Sequence, residues 1–225
     1  WEWLPMAELQ SECLERSVPL QAGGASSDEE RHAELVRRLR VDLRVRLSRE
    51  AYEQRGIPVE RLGSLQAAAV AQQFDHFEGL SNDELKTTYV ECGMPEEDVL
   101  ERSHLLRTLR IMLVWEALPL SELQKDCRDR NLPVGAEEAS GSEEERKDKL
   151  IRQLKIDLSV TLSSSAYDQK GIPVDRLGSL KAHDVFEQFE KFEIMNIQEL
   201  KDAYQQFGMP LAPSAQRHEI AARLR

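Results

Sequence analysis

The sequence predicts an all-α fold: a tandem duplication of a three-hairpin block, giving about six helical hairpins. The first observation is a signature of Cys or Tyr, three residues, Gly, Ser or Asn, an apolar residue and Pro. It begins at Cys13, Tyr52, Tyr89, Cys127, Tyr167 and Tyr204, with spacings of 39, 37, 38, 40 and 37 residues. The second is a coarser repeat, in which residues 1–110 align with 115–225 at an offset of 114, becoming 115 after one inserted residue near 141. Its tightest part, 51–66 against 166–181, is identical at twelve of sixteen positions. The third is composition: 40% hydrophobic and 32% charged residues suit a helix-rich chain. A period near 38 residues with one helix stop per unit is the mark of stacked helical hairpins.

Each signature reads as the end of a helix. Gly56, Gly93, Gly171 and Gly208 stand where a left-handed residue closes the last turn. The apolar residue after each folds back on the helix, and the Pro stops its continuation. Ser17 and Asn131 fill that position in the other two copies. Asn tolerates the backbone and Ser less so.

Taken in order, the first block covers 1–114, with hairpins about 4–47, 48–79 and 80–114. The second covers 115–225, with hairpins about 118–162, 163–194 and 195–225. The boundary falls near Val114 and Trp115. The first and third hairpins of each block open on Leu/Met-x-x-x-Glu-Leu-Gln/Lys, at 4–10, 80–86, 118–124 and 195–201. Ser81, Asn82 and Asn196 are N-cap candidates there, and Pro5 and Pro119 suit a first helical turn. Second helices are marked by Leu35 and Leu39, Leu105 and Leu109, Leu150 and Leu154, and Ile220 and Leu224. The long connections at 21–28 and 135–143 are rich in Gly, Ala, Ser and acid, without the setting of a phosphate-binding loop.

One segment reads two ways. Leu39, Val41, Leu43, Val45 and Leu47 alternate, as do Leu154, Ile156, Leu158, Val160 and Leu162, and alternation is a strand signal. Leu35, Leu39, Leu43 and Leu47 also fall on one helical stripe. A helix continuous from about 28 to 55 is the favoured reading, with a short strand near 156–162 as the alternative. In the middle hairpins, Leu65, Val70, Phe74 and Phe77 match Leu180, Val185, Phe189 and Phe192, an aromatic stripe that reads as core.

A helix with Glu-Leu-Lys/Gln, then Gly-apolar-Pro, a loop, and a helix with Leu-x-x-x-Leu resembles the SAP motif family. Those are helix–extended loop–helix modules of nuclear and organellar DNA- or RNA-binding proteins. The resemblance covers the first, third, fourth and sixth hairpins well and the middle ones less. It implies nucleic-acid binding through a Gly-x-Lys turn before the second helix. The matching turns here, at 21–24, 96–98, 135–138 and 211–214, supply no lysine, and two place carboxylates there.

The net charge of −11 divides as −7 over 1–114 and −4 over 115–225, which disfavours a general nucleic-acid or anionic-membrane binder. No apolar run approaches the roughly 18 residues of a membrane span. Cys13, Cys92 and Cys127 have neither metal spacing nor an even count. The histidines at 32, 76, 104, 183 and 218 align with no histidine in the other block. No duplicated catalytic, metal or cofactor site is therefore expected, and a non-enzymatic protein-interaction or scaffold module is. The rival is nucleic-acid binding through the basic stripe at 31–49, whose contact candidates are Arg37, Arg38, Arg40, Arg44, Arg46 and Arg49. Trp1, Trp3 and Trp115, at the starts of the blocks, suit an inter-block seam or a partner-facing edge.

Overall fold

A computed structural model describes residues 1–21, 27–96, 100–134, 142–208 and 216–224. The turns expected to face a ligand, at 21–24, 96–98, 135–138 and 211–214, lie wholly or mostly outside these residues.

The described chain is all helix. In order it forms α1 (Met6–Glu15), α2 (Asp28–Leu47), α3 (Arg49–Gln54), α4 (Val59–Leu62), α5 (Ser64–Gly79), α6 (Asn82–Glu91) and α7 (Arg102–Ala117). It continues with α8 (Leu120–Asp129), α9 (Glu143–Leu162), α10 (Ser164–Gln169), α11 (Val174–Leu177), α12 (Ser179–Ile194), α13 (Ile197–Gln206) and α14 (Arg217–Leu224). From α8 onward the helices follow the order of those from α1. Two compact units result, one of Trp1–Cys92 with Glu96–Ile151, the other of Gly93–Pro95 with Arg152–Arg225. The boundary read from the repeat, near Val114, falls inside α7.

The helix stops have the geometry their residues demand. Gly56, Gly93, Gly171 and Gly208 all have positive φ, and so do Ser17 (58°) and Asn131 (57°). Each stop closes by backbone bonds. Ile57 N–H donates to Tyr52 O at 3.0 Å, and the same bond runs from Val18 to Cys13, Leu132 to Cys127 and Ile172 to Tyr167. The residues that fold back, Val18, Ile57, Leu132 and Ile172, are all buried.

Caps explain the helix starts. Ser27, Ser81 and Asn196 each accept from the amide of a Glu three residues on, while that Glu accepts from the cap's own amide. Of the adjacent pair Ser81 and Asn82, the serine is the cap. Pro5 and Pro119 are N-cap residues and not the first helical ones.

The alternating stretches are helical, in α2 and α9, and no strand occurs among the described residues, so the strand near 156–162 is not formed. Nor is the helix continuous from 28 to 55. α2 ends at Leu47, Ser48 leaves helical geometry (φ −107°, ψ 18°), and α3 restarts at Arg49. The buried stripe of α2 is Leu35, Val36, Leu39, Asp42 and Val45, while Leu43 is 39% and Leu47 79% exposed. Steps of four residues drift by about 40° per step on a helix of 3.6 residues per turn, which carries Leu43 and Leu47 out of the seam.

In the first unit, Leu9, Cys13, Val18, Leu35, Val36 and Leu39 form one cluster, with Trp1, Leu4, Met6 and Leu65 against it. α5 packs on α2 and on α7, and α6 on α7. In the second unit, Phe189 and Phe192 of the aromatic stripe join Tyr167, Leu200, Tyr204 and Ile220. Burying each such Leu, Ile or Phe contributes about 1.5–3 kcal/mol.

Candidate functional site

The basic stripe is taken up by the chain's own acceptors. Arg37 forms a two-pronged pair with Glu34, at 2.7 and 2.8 Å. Arg38 donates to the same carboxylate at 2.7 Å and to Pro19 O at 2.8 Å. Hydrogen bonds from Arg37 and Arg38 hold the Glu34 carboxyl down to about 2. Arg40 pairs with Glu2. Arg46 lies 2.9 Å from Asp42 and donates to Arg16 O at 2.9 Å. Arg49 bridges Glu53 at 2.7 Å and Glu60 at 2.6 Å, and Arg31 lies 3.4 Å from Asp28. Arg44 is exposed and has no ion-pair partner among the described residues. Six of the seven guanidiniums therefore have a carboxylate partner in the same chain, with Arg37 and Arg38 sharing the one Glu34 carboxylate.

The three tryptophans separate. Trp3 is 94% exposed. Trp1 is half-buried, packed against the Leu9 cluster with the Arg16 guanidinium 5.2 Å from its ring centre. Trp115 is 3% exposed, donates from Nε1 to Asp126 Oδ2 at 3.1 Å, and lies under Arg130. Of the three, Trp3 alone is almost fully exposed, while Trp115 lies buried along the groove beside α7.

The histidines stay apart. His32 Nε2 sits 2.9 Å from Leu4 O, and His183 lies 3.4 Å from the Tyr167 hydroxyl and 3.4 Å from Glu187. Burial pushes the Tyr167 phenol up to about 12. Among the described residues no group of three His, Cys, Asp or Glu side chains could hold a metal ion, and no helix is long and apolar enough to cross a membrane.

A groove of about 980 Å³ lies in the first unit, between the outer face of α7 and the turn from α3 to α4. One wall is the helix stop itself, Gly56-Ile57-Pro58. The other is the α7 stripe of Ser103, Leu106, Arg107, Arg110, Ile111 and Val114, which turns away from the buried stripe of Leu105, Leu109 and Met112. Leu106, Ile111 and Val114 are only half-buried.

Both signs of charge line this groove, Arg55, Arg61, Arg107 and Arg110 with Glu53, Glu60 and Asp126. Arg61 pairs with Glu122 at 2.8 Å and Asp126 at 2.5 Å, so Asp126 joins α4 to the Trp115 indole. Burial pushes Arg61 down, but those two carboxylates outweigh it and the net direction is up. Arg55 pairs with Asp75 at 2.6 Å. Arg110 pairs with Glu78 and lies over the Phe74 ring, with its Nε making no hydrogen bond. Arg107 is exposed, without an ion-pair partner among the described residues.

Comparison of the chain with protein-family models, with curated proteins and with solved structures gave no match.

The sequence signal for the groove lies in α7, which is apolar on two faces. A helix buried on one side only needs one such stripe. Leu106, Ile111 and Val114 lie outside the buried stripe of Leu105, Leu109 and Met112.

Proposed function

We propose that the chain is a non-enzymatic protein-interaction or scaffold module built of SAP-like helical hairpins. The observation that carries this reading is the internal pairing of the 31–49 arginines. Phosphate binding needs guanidiniums that can exchange counterions for phosphates. Here Arg37, Arg38, Arg40, Arg46 and Arg49 would first have to leave carboxylates of the same chain. The net charge of −11 adds to that cost at long range. A groove along which Leu106, Ile111 and Val114 are half-buried has, by contrast, one of the recurring forms of a surface that takes another polypeptide.

The test is fluorescence anisotropy with an AT-rich DNA duplex and with single-stranded RNA at low salt. The expected result is no binding. Micromolar binding that collapses with added salt and with Arg37/Arg38/Arg40→Ala would replace this reading by nucleic-acid recognition. Cross-linking in cells would supply the partner itself.

A further inference from the structure

We propose that α1 of one copy of this chain docks on the α10–α11 turn of a second copy, with Glu8 and Glu12 of the one set against Arg176 of the other. The proposal rests on the interaction reading above and names the partner as the chain itself.

The template is a contact inside the first unit. Arg61, on α4 just past the stop Gly56-Ile57-Pro58, donates to Glu122 at 2.8 Å and to Asp126 at 2.5 Å, both on α8. The 115-residue offset carries Arg61 to Arg176 on α11, and the 114-residue offset carries Glu122 and Asp126 back to Glu8 and Glu12 on α1. The donor and its pair of acceptors thus each occur a second time.

The second donor and the second acceptors have not met. Arg61 is half-buried in its contact, whereas Arg176 is exposed and has no ion-pair partner among the described residues. Glu8 is likewise exposed and unpaired among them, and Glu12 is half-buried and pairs with Arg16 at 2.6 Å. Leu118, which leads into α8, is fully buried, while its equivalent Leu4 is only half-buried.

Both surfaces keep the form of the template. Arg16 lies 5.2 Å from the ring centre of Trp1, as Arg130 does from that of Trp115. Leu9 and Cys13 are buried on α1 as Leu123 and Cys127 are on α8. The segment that carries the donor is the most closely repeated in the chain, and Ile57 and Ile172 close its two helix stops by the same backbone bond.

Charge favours the new pairing on the acceptor side. α1 carries Glu8, Glu12 and Glu15 and no basic residue, where α8 carries Lys125 and Arg128. On the donor side Asp168 and Asp175 flank Arg176 as Glu53 and Glu60 flank Arg61. Arg49 holds both Glu53 and Glu60, and Ser164 fills its equivalent position, so the acids beside Arg176 oppose the contact in part. That difference supplies a test of its own.

The experiment is sedimentation velocity of the full chain at rising concentration and low salt. The weight-average mass should rise with concentration, and added salt should oppose the rise. Arg176→Glu and Glu8→Arg should each weaken the association at least about tenfold, with the thermal melt unchanged. An equimolar mixture of the two variants should regain it, because Arg176 survives in one and Glu8 in the other, a recovery that misfolding cannot produce. Ser164→Arg should strengthen it by holding Asp168 and Asp175. A chain that stays monomeric at every concentration, or an association that both reversals leave unchanged, would overturn the proposal. The anisotropy test above decides the interaction reading separately: absence of nucleic-acid binding keeps that reading for a foreign partner, and salt-sensitive binding removes it.

Discussion

Ser64 Oγ donates a hydrogen bond to Asp42 Oδ1 at 2.5 Å, and the equivalent bond joins Ser179 to Asp157 at 2.6 Å. Each ties the first turn of one helix to the middle of another, α5 to α2 and α12 to α9. Asp42 is 1% exposed and takes a place in a stripe of leucines and valines. Such a carboxylate is tolerable only because Ser64 and Arg46 reach it, with Arg16 at 3.8 Å. It fixes the register of α5 on α2, since sliding either helix would strand the charge.

Ser64→Ala should therefore lower stability by about 1–2 kcal/mol. Asp42→Ala should cost about 2–3 kcal/mol, because it also frees Arg46 and Arg16. The double variant should cost no more than Asp42→Ala alone, since the same interaction is removed twice. Urea denaturation of the four proteins closes the cycle. Additive losses would mean the bond is incidental.

The helix stops make a prediction of both signs. Gly56→Ala and Gly93→Ala should each cost about 1 kcal/mol, from backbone strain alone, because a Cβ at either position meets nothing within 4 Å. Ser17→Gly should instead stabilise by about 1 kcal/mol, since Ser17 already holds φ 58°. Asn131→Gly should gain less, because Asn tolerates that region better. Thermal melts measure all four. A destabilising Ser17→Gly would show that its side chain matters more than its backbone.

Much of this was legible in the sequence and some was not, for reasons visible in particular residues. The stops at Gly56, Gly93, Gly171 and Gly208 could be read because a left-handed residue followed by an apolar one and Pro permits few alternatives. The kink at Ser48 could not be read, since serine is at home in a helix, a cap or a bend. The inward turn of Asp42 was hidden by the habit of placing acids outside, although Asp42 and Ser64 both recur, at 157 and 179. The pairs of Arg37 and Arg38 with Glu34, Arg46 with Asp42 and Arg49 with Glu53 stand at helical spacing, whereas Glu2, Glu60 and Pro19 are partners that spacing alone does not bring to the 31–49 arginines.

Acid should release one of those arginine clusters. Glu34, ordinarily near 4.5, is held at about 2 in the folded chain by Arg37 and Arg38. A depressed carboxyl contributes stability that is complete above pH 4.5 and is lost as pH falls toward 2. Because Arg37 is largely exposed, solvent screening limits this contribution to about 1 kcal/mol. Glu34→Gln should be less stable than wild type at pH 7 and should converge with it near pH 2. A constant gap across that range would contradict the assignment.

Tryptophan fluorescence should report the edge of the first unit. Trp3 is almost fully exposed while Trp115 is buried beneath Arg130. Trp3→Phe should remove most of the acrylamide-quenchable emission and shift the remainder to shorter wavelength. Trp115→Phe should leave the quenchable part in place and lower the melting temperature. Equal quenching of both variants would show that the tryptophans are not partitioned in this way.

The recurring helix stop carries a lesson for anyone who would rebuild this chain. Its closure, as between Ile57 N–H and Tyr52 O, is made of backbone alone. In one copy a new helix starts at Val59, just past Pro58. In another, Pro19 is followed by a far longer connection before Asp28. The helix end is thus insulated from the length and chemistry of what comes next. Tags, cleavage sites or whole domains could be spliced in after Pro19 while the helix before it keeps its terminus, which makes the scaffold a natural chassis for grafting.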